Sequence, residues 1–430
     1  MSESKEPVLT YAACVGLDWG SQTHSWALQE TGKDKIETGE LTHTPEALEQ
    51  WARSLEQRFG GRPVAVALEQ TRGAVVYALS QYAHLVLYPV NCTAVWGYRK
   101  VFRPSGATDD AYDAKVILEL VRDKREHLRV LRPDTPETRT LQFLVERRRC
   151  WVDERTAFSN RLTDALRQSF PQILDWFDSV QMPMVCDLLE RWPTLLQLKA
   201  EPVIHVEKFL RSHGSPAHLV QRRLELLANA RPATHDEAVL AMAKIDIPQQ
   251  AEMIRHLNTT ILQLNKEIAD RAEKHPDFAI FDSMPGAGDA LVPRLIVAFG
   301  TDRQRYTSAE QLQSFSGIAP VTEQSGKQHI VHWRWACPKF LRQTFHEWAE
   351  KSVQYSAWAH AYYDHQRQAG KTHPAAIRAL AFKWIRIAYR CWVKKETYDE
   401  ALYLKRITER HRPVAKNFQW KNCAGFSKAG

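Results

Sequence analysis

Two hydrophobic rhythms run along the chain, and each predicts a different part of the molecule. In residues 11–30, YAACVGLDWGSQTHSWALQE, apolar positions alternate on either side of a Gly-containing bend. A period of two predicts two strands, with Asp18 at the end of the first. IETGELTH can serve as a third strand. TPEALEQWARSLEQRFGG opens on Thr44–Pro45 and stops on glycine, which predicts a helix. RPVAVALEQT is a short apolar strand running into Glu69, and HLVLYPVN is another, with helices expected around 73–83 and 91–100. A further helix carries Asp110 and Asp113 ahead of the apolar run VILELV. Three hairpin-like strands followed by alternating helix and strand predict a mixed α/β sheet with helices on its faces, within residues 1–130.

Past residue 130 the period becomes helical. Leu141, Leu144, Val145, Val152, Phe158, Leu162, Ala165 and Leu166 form a stripe through residues 134–170, which Pro171 ends. A second long helix is expected over 248–273, where Ile254, Leu257, Ile261, Leu264 and Ile268 step by 3, 4, 3, 4, the seam of a coiled coil. Between them, Pro193, Pro202, Gly214–Pro216 and Pro232 break a variable segment, 175–245, into short helices with no assigned role. Residues 131–275 are therefore expected to be a helical coiled-coil connector, a stalk able to act as a dimerisation arm. Residues 276–400 are expected to be a mostly α C-terminal domain. Its Pro-Gly-Ala-Gly turn in SMPGAGDALVPRLIVAFG is either an ordinary turn or a helix-hairpin-helix-like one with glycine amides facing a phosphate. A capped helix in YTSAEQLQSFSGIAP, a small polar loop, a basic helix and a helix over 374–398 follow. Residues 401–430 are expected to be a basic tail.

Charge changes the picture. The net charge of +8 is uneven: residues 327–430 hold 20 Lys and Arg against 7 Asp and Glu, whereas the first 326 hold 38 against 43. A basic quarter on an acidic body points to a polyanionic partner, nucleic acid. The seven cysteines are scattered and form no C-x-x-C, which argues for reduced thiols and against a zinc finger or disulfide scaffold. With no signal-peptide layout and no apolar run of membrane length, the expected location is the cytoplasm.

GATDDAYDAK, residues 106–115, places Asp109, Asp110 and Asp113 within five positions. Capping of the following helix explains one of them, or two, but not Asp113, one turn beyond Asp110 on the same face. Parallel strands ending at Asp18 and Glu69, with a helix packed across that edge, would bring four acids together. Such crowding needs a counter-charge, which hard divalent cations provide. Two magnesium ions roughly 4 Å apart, with manganese as a possible substitute, would clamp the oxygens of an in-line phosphoryl transfer.

The ordered set GLDWG, ALEQT and DDAYDA resembles the ribonuclease-H-like fold in its Holliday-junction-resolvase (RuvC-like) branch, and specifically the N-terminal half of DEDD insertion-sequence transposases, the bridge-RNA-guided recombinases. MPGAGDALVPRLIVAFG, FSGIAP, EQSGK and CPKFLRQTFHEWA resemble that family's C-terminal transposase domain. The resemblance covers roughly 1–125 and 275–400. It implies that Asp18, Glu69, Asp110 and Asp113 are catalytic metal ligands. The doublet leaves Asp109 or Asp110 open as the third acid, and spacing favours Asp110. It further implies that Ser325 attacks DNA to form a phosphoserine intermediate, that a non-coding RNA pairs with target and donor DNA, and that the protein works as a dimer or tetramer. Lys327, Arg334, Lys339 and Arg342 are candidate phosphate contacts. Trp333 and Trp335 either stack on bases or pack in a core. The rival enzyme is a structure-selective nuclease or junction resolvase using the carboxylates alone.

Overall fold

The computed structural model describes residues 10–102, 109–326 and 328–409. The chain forms two compact units, residues 1–133 and 134–430.

In the first unit, β1 (Ala13–Asp18), β2 (Thr23–Glu30) and β3 (Ile36–Thr42) form an antiparallel meander. Then come α1 (Pro45–Phe59), β4 (Val64–Leu68), α2 (Ala74–Leu79), β5 (Leu85–Pro89), α3 (Cys92–Phe102) and α4 (Asp110–Asp123). The Thr44 hydroxyl caps α1 and Gly60, at φ +61°, ends it, as the sequence predicts. β4 pairs in parallel with β1 on one side and β5 on the other, giving the order β3-β2-β1-β4-β5. This mixed sheet is consistent with a ribonuclease-H-like domain. The pleat divides the core. Val15, Leu17, Val64, Val66, Leu85 and Leu87 pack with α1 and α2 on one face. Cys14, Ala65, Ala67 and Tyr88 pack with α4 on the other.

The second unit is almost wholly helical. Its long helix α5 (Pro136–Ser169) is followed by short α6 (Gln172–Trp176), α7 (Pro183–Arg191), α8 (Leu195–Ala200), α9 (Val203–Ser212) and α10 (Ala217–Asn229). Then α11 (Glu237–Glu273) returns along α5. Thr138 bonds His275, Arg148 bonds Asn265 and Arg155 bonds Asn258, so numbers rise on one side as they fall on the other: the pair is antiparallel. Leu257 and Ile261 are 2% and 5% exposed within this single chain. The stripe read as a dimerisation seam is thus covered by the chain's own α5. Helix α11 also starts about three turns before the predicted Pro248, from an Asp236 cap. Ala243 and Ile247 are already buried there, which offsets the hydrogen bond that a proline forfeits inside a helix. The segment 175–245 has its own core, with Phe177, Leu189, Trp192 and Leu210 against Leu162 and Leu166 of α5 and Ile254 of α11.

The remaining elements are α12 (Phe278–Asp282), α13 (Gly288–Phe299), α14 (Ala309–Phe315), the antiparallel hairpin β6 (Val321–Ser325) and β7 (Gln328–His332), α15 (Lys339–Tyr355), α16 (Ala357–Gln368), α17 (His373–Lys394) and α18 (Glu400–Glu409). Their core includes Leu141, Val145 and Ile268, so the expected connector and C-terminal domain share one unit. Trp348, Trp384 and Trp392 are fully buried, and each indole N–H finds an acceptor: the Pro285 carbonyl, the Ser352 hydroxyl and the Gly300 carbonyl. A methyl at Gly286 would sit 2.7 Å from the Ser352 amide nitrogen, so the Pro-Gly-Ala-Gly turn is a packing turn against α15. Among the described residues, no helix is long and apolar enough to cross a membrane.

Candidate active site

Asp18 ends β1 on the same face of the pleat as Cys14 and Gly16, the face covered by α4. Glu69 follows the last residue of β4, whose Leu68 is paired with Leu17. Both strand ends therefore open on one edge of the sheet. What draws α4 to that edge is Gly16: a methyl there would overlap the Ala114 carbonyl oxygen and the Leu118 amide. Backbone meets backbone at this point, and fully buried Ala114 keeps the gap closed. Asp110 and Asp113 ride on the first turn of the helix so held. The Asp109 side chain accepts from the Ala111 amide at 3.2 Å, making it the N-cap, the role capping predicts for one of the three aspartates.

The four acids influence one another. Burial, followed by the charges of Glu69, Asp113 and Asp110, pushes the Asp18 carboxyl up to about 7. Part of the counter-charge comes from Arg99 on α3, which donates to both Asp113 oxygens at 2.8 and 3.1 Å. The Cys92 thiol donates to Glu69, and burial together with that carboxylate raises its pKa. Among the described residues, no three His, Cys, Asp or Glu side chains already stand in an arrangement that could hold a metal ion. Charge repulsion reaches further than coordination, so the acids share an edge without forming a closed cage. Their chemistry nonetheless fits a hard divalent cation: all donors are carboxylate oxygens, and after burial the charges of three neighbouring carboxylates add to the raised Asp18 pKa.

Gly16, Arg99 and Cys92 escaped the sequence reading. A glycine inside a strand signals close backbone approach, and GLDWG carried that signal. Arg99 and Cys92 had none, since their partners lie far along the chain.

Ser325, in the second unit, is exposed at the end of β6 and pairs with Gln328 across a turn in which Gly326 takes φ +57°. The region read as a polar loop is therefore a hairpin that presents the serine at its tip. Lys327 lies outside the described residues. Arg334 donates to the Ala319 carbonyl at 3.4 Å, while Lys339 and Arg342 line an open cleft with Trp333 and Trp335.

Comparison with known proteins bears directly on this arrangement. A DEDD-type IS110 transposase profile matches residues 15–171, and the profile of the transposase IS116/IS110/IS902 family matches residues 279–364. The chain belongs to the DEDD-type IS110-family transposases. All four acids of this transposase lie in the first match, and Ser325 with the tryptophan cleft in the second. It is 25% identical to the mini-circle putative transposase for IS117 of Streptomyces coelicolor, over 90% of this chain and 95% of that protein. It is 26% identical to the insertion element IS110 uncharacterized 43.6 kDa protein of the same organism, over 87% and 92%. The pilin gene-inverting protein of Moraxella bovis is 28% identical over 35% of this chain and 48% of its own.

Proposed function

We propose that this IS110-family transposase is a metal-dependent, RNA-guided DNA recombinase that moves its element through a phosphoserine intermediate. The observation that carries the reading is the convergence of Asp18, Glu69, Asp110 and Asp113 on one sheet edge, with Asp18 pushed up to about 7. DNA as substrate is supported by the transposase family and by a relative named for inverting pilin genes.

Asp18, Glu69, Asp110 and Asp113 would hold magnesium, two ions with manganese able to substitute, and the bound cation would supply charge neutralisation at the reacting phosphate. Ser325 Oγ attacks a DNA phosphorus; the new Oγ–P bond replaces the P–O3′ bond, the serine gives up its proton and the departing 3′ oxygen takes one up. The phosphoserine ester conserves the bond, so a 3′ hydroxyl of another strand can reverse the attack and rejoin DNA without ATP. The exposure of Ser325 on a hairpin tip supports a nucleophile that must reach a strand. Base pairing by an element-encoded RNA would supply sequence choice, leaving the protein with backbone and shape contacts. The excess of 20 Lys and Arg over 7 Asp and Glu in residues 327–430 supports that division of labour. Holding donor and target duplexes together calls for a dimer or tetramer, built on surfaces other than the α5–α11 seam.

Because the four acids all lie in the first unit, a second reading is a nuclease or junction resolvase that activates water with the carboxylates alone. Ser325→Ala separates the two. A serine recombinase loses covalent protein–DNA adducts and strand exchange; a nuclease continues to cut. Asp18→Asn should abolish cleavage in both cases. Sequencing the RNA that co-purifies with the protein tests guidance: one non-coding species encoded beside the gene is expected, and its absence removes the RNA from the reading.

A further inference from the structure

The two tryptophans of HWRWACPKF have different surroundings. Trp333 is held in place, its ring parallel to the His346 imidazole, with centroids 5.9 Å and planes 9° apart, and under the Arg378 guanidinium at 3.7 Å. Trp335 is 79% exposed. The two flank an open cleft of about 460 Å³ whose other lining residues are Lys339, Arg342, Gln343 and His346. We infer that this cleft is a pocket for one unpaired nucleotide, its base stacked on Trp335 and its phosphate paired with Lys339 and Arg342.

Four features argue for that ligand. A large indole left almost bare is costly in water and is the side chain on which bases stack, whatever their identity. The volume falls within the range of small-ligand pockets. The lining includes two cations and no carboxylate, which selects an anion. The floor is polar without being charged: burial and the neighbouring Arg378 and Arg342 push His346 down to about 4, so its imidazole is neutral near pH 7. Its Nε2 is buried with no hydrogen-bond partner among the described residues. A neutral imidazole and the Gln343 amide both donate or accept, which suits the edge of a base. A base within a duplex has its faces covered, so the occupant must be unstacked.

The inference rests on the reading of the chain as a nucleic-acid enzyme, and its test is independent of the serine. Full-length protein is titrated by anisotropy with a duplex, with single-stranded DNA, and with RNA of the same sequence. Trp335→Ala is expected to weaken single-strand binding about tenfold or more, Trp335→Phe to restore most of it, and duplex binding to stay unchanged. Preference for the ribo- or the deoxyribo-strand identifies guide RNA or displaced DNA as the source. Photocross-links from a 5-iodouracil-substituted strand should map to residues 333–346. Single-strand affinity within twofold of wild type in both Trp335→Ala and Gln343→Ala, or cross-links confined elsewhere, overturns the pocket. Because Trp335 is exposed, its loss should leave the melting temperature unchanged, which controls for folding. Wild-type adducts that vanish in Ser325→Ala, together with unaltered Trp335→Ala binding, would sink the pocket alone. The converse pair of results would sink the serine mechanism alone.

Discussion

A carboxyl pushed up to about 7 is half-protonated near neutrality, and Asp18 is there because burial and three neighbouring carboxylates all disfavour its anion. The folded chain then holds this proton more tightly than the unfolded chain, whose aspartate ionises near 3.8. Stability from this group is complete below that value and declines as pH rises through about 7. In EDTA, the melting temperature of the wild type should fall over that interval by more than that of Asp18→Asn; identical pH profiles would remove the coupling. Added magnesium should restore more stability at pH 8 than at pH 5, since cation and proton compete. Gly16 makes a second residue-scale prediction. Gly16→Ala forces α4 away from β1, an overpacking cost of about 1–3 kcal/mol. Urea denaturation should show that loss, and cleavage should fall far more than the folded fraction, because Asp110 and Asp113 move with the helix. The acids themselves were legible, since strand ends and helix turns follow from local pattern. The small residues that permit their meeting were legible only as glycine and alanine.

At the scale of elements, the α5–α11 pair shows what periodicity does and does not convey. The 3-4 stepping of Ile254, Leu257, Ile261, Leu264 and Ile268 marks a stripe that is buried at every position but the half-buried Leu264, yet it cannot say which surface buries it. The answer lies in polar layers: Arg148 with Asn265 and Arg155 with Asn258 lie across the two helices and pin their register. Leu257→Ala should therefore cost about 2–5 kcal/mol, like other large-to-small core changes. The drop in melting temperature should be the same at every protein concentration; a drop that shrinks as concentration rises would return the stripe to an interface between chains. The β6–β7 hairpin was missed for the opposite reason. Its strands are five residues each and mostly exposed, so no apolar alternation announces them, and cross-strand hydrogen bonding carries the structure.

Across the whole molecule, charge is unevenly spread, and its divide lies inside the second unit. The first 326 residues carry more acid than base, and residues 327–430 carry 20 Lys and Arg against 7 Asp and Glu. A chain that binds nucleic acid through the basic part should lose affinity steeply with salt, each phosphate contact adding about 0.9 to the slope of log K against log salt. Ending the chain after residue 409 removes Arg410, Arg412, Lys416, Lys421 and Lys428 and no acid. The slope measured by anisotropy should become shallower while adduct formation at low salt persists; an unchanged slope would place the contacts elsewhere.

By itself the sequence determined where the strands and helices of the first unit fall, the courses of the long helices, which carboxylates end those elements, where basic charge accumulates, and the family these motifs resemble. Each of these depends on neighbours within a few residues, through pleat, helical turn or side-chain chemistry. Tertiary structure decided that Gly16 and Ala114 bring α4 against β1, that Arg99 neutralises Asp113, that α5 covers the α11 stripe, and that Trp333 is held between His346 and Arg378 while Trp335 is bare. Those outcomes turn on which surfaces meet after the chain has turned back on itself, and packing between segments distant in sequence leaves at most a small residue such as Gly16 in the local pattern, never the identity of its partner.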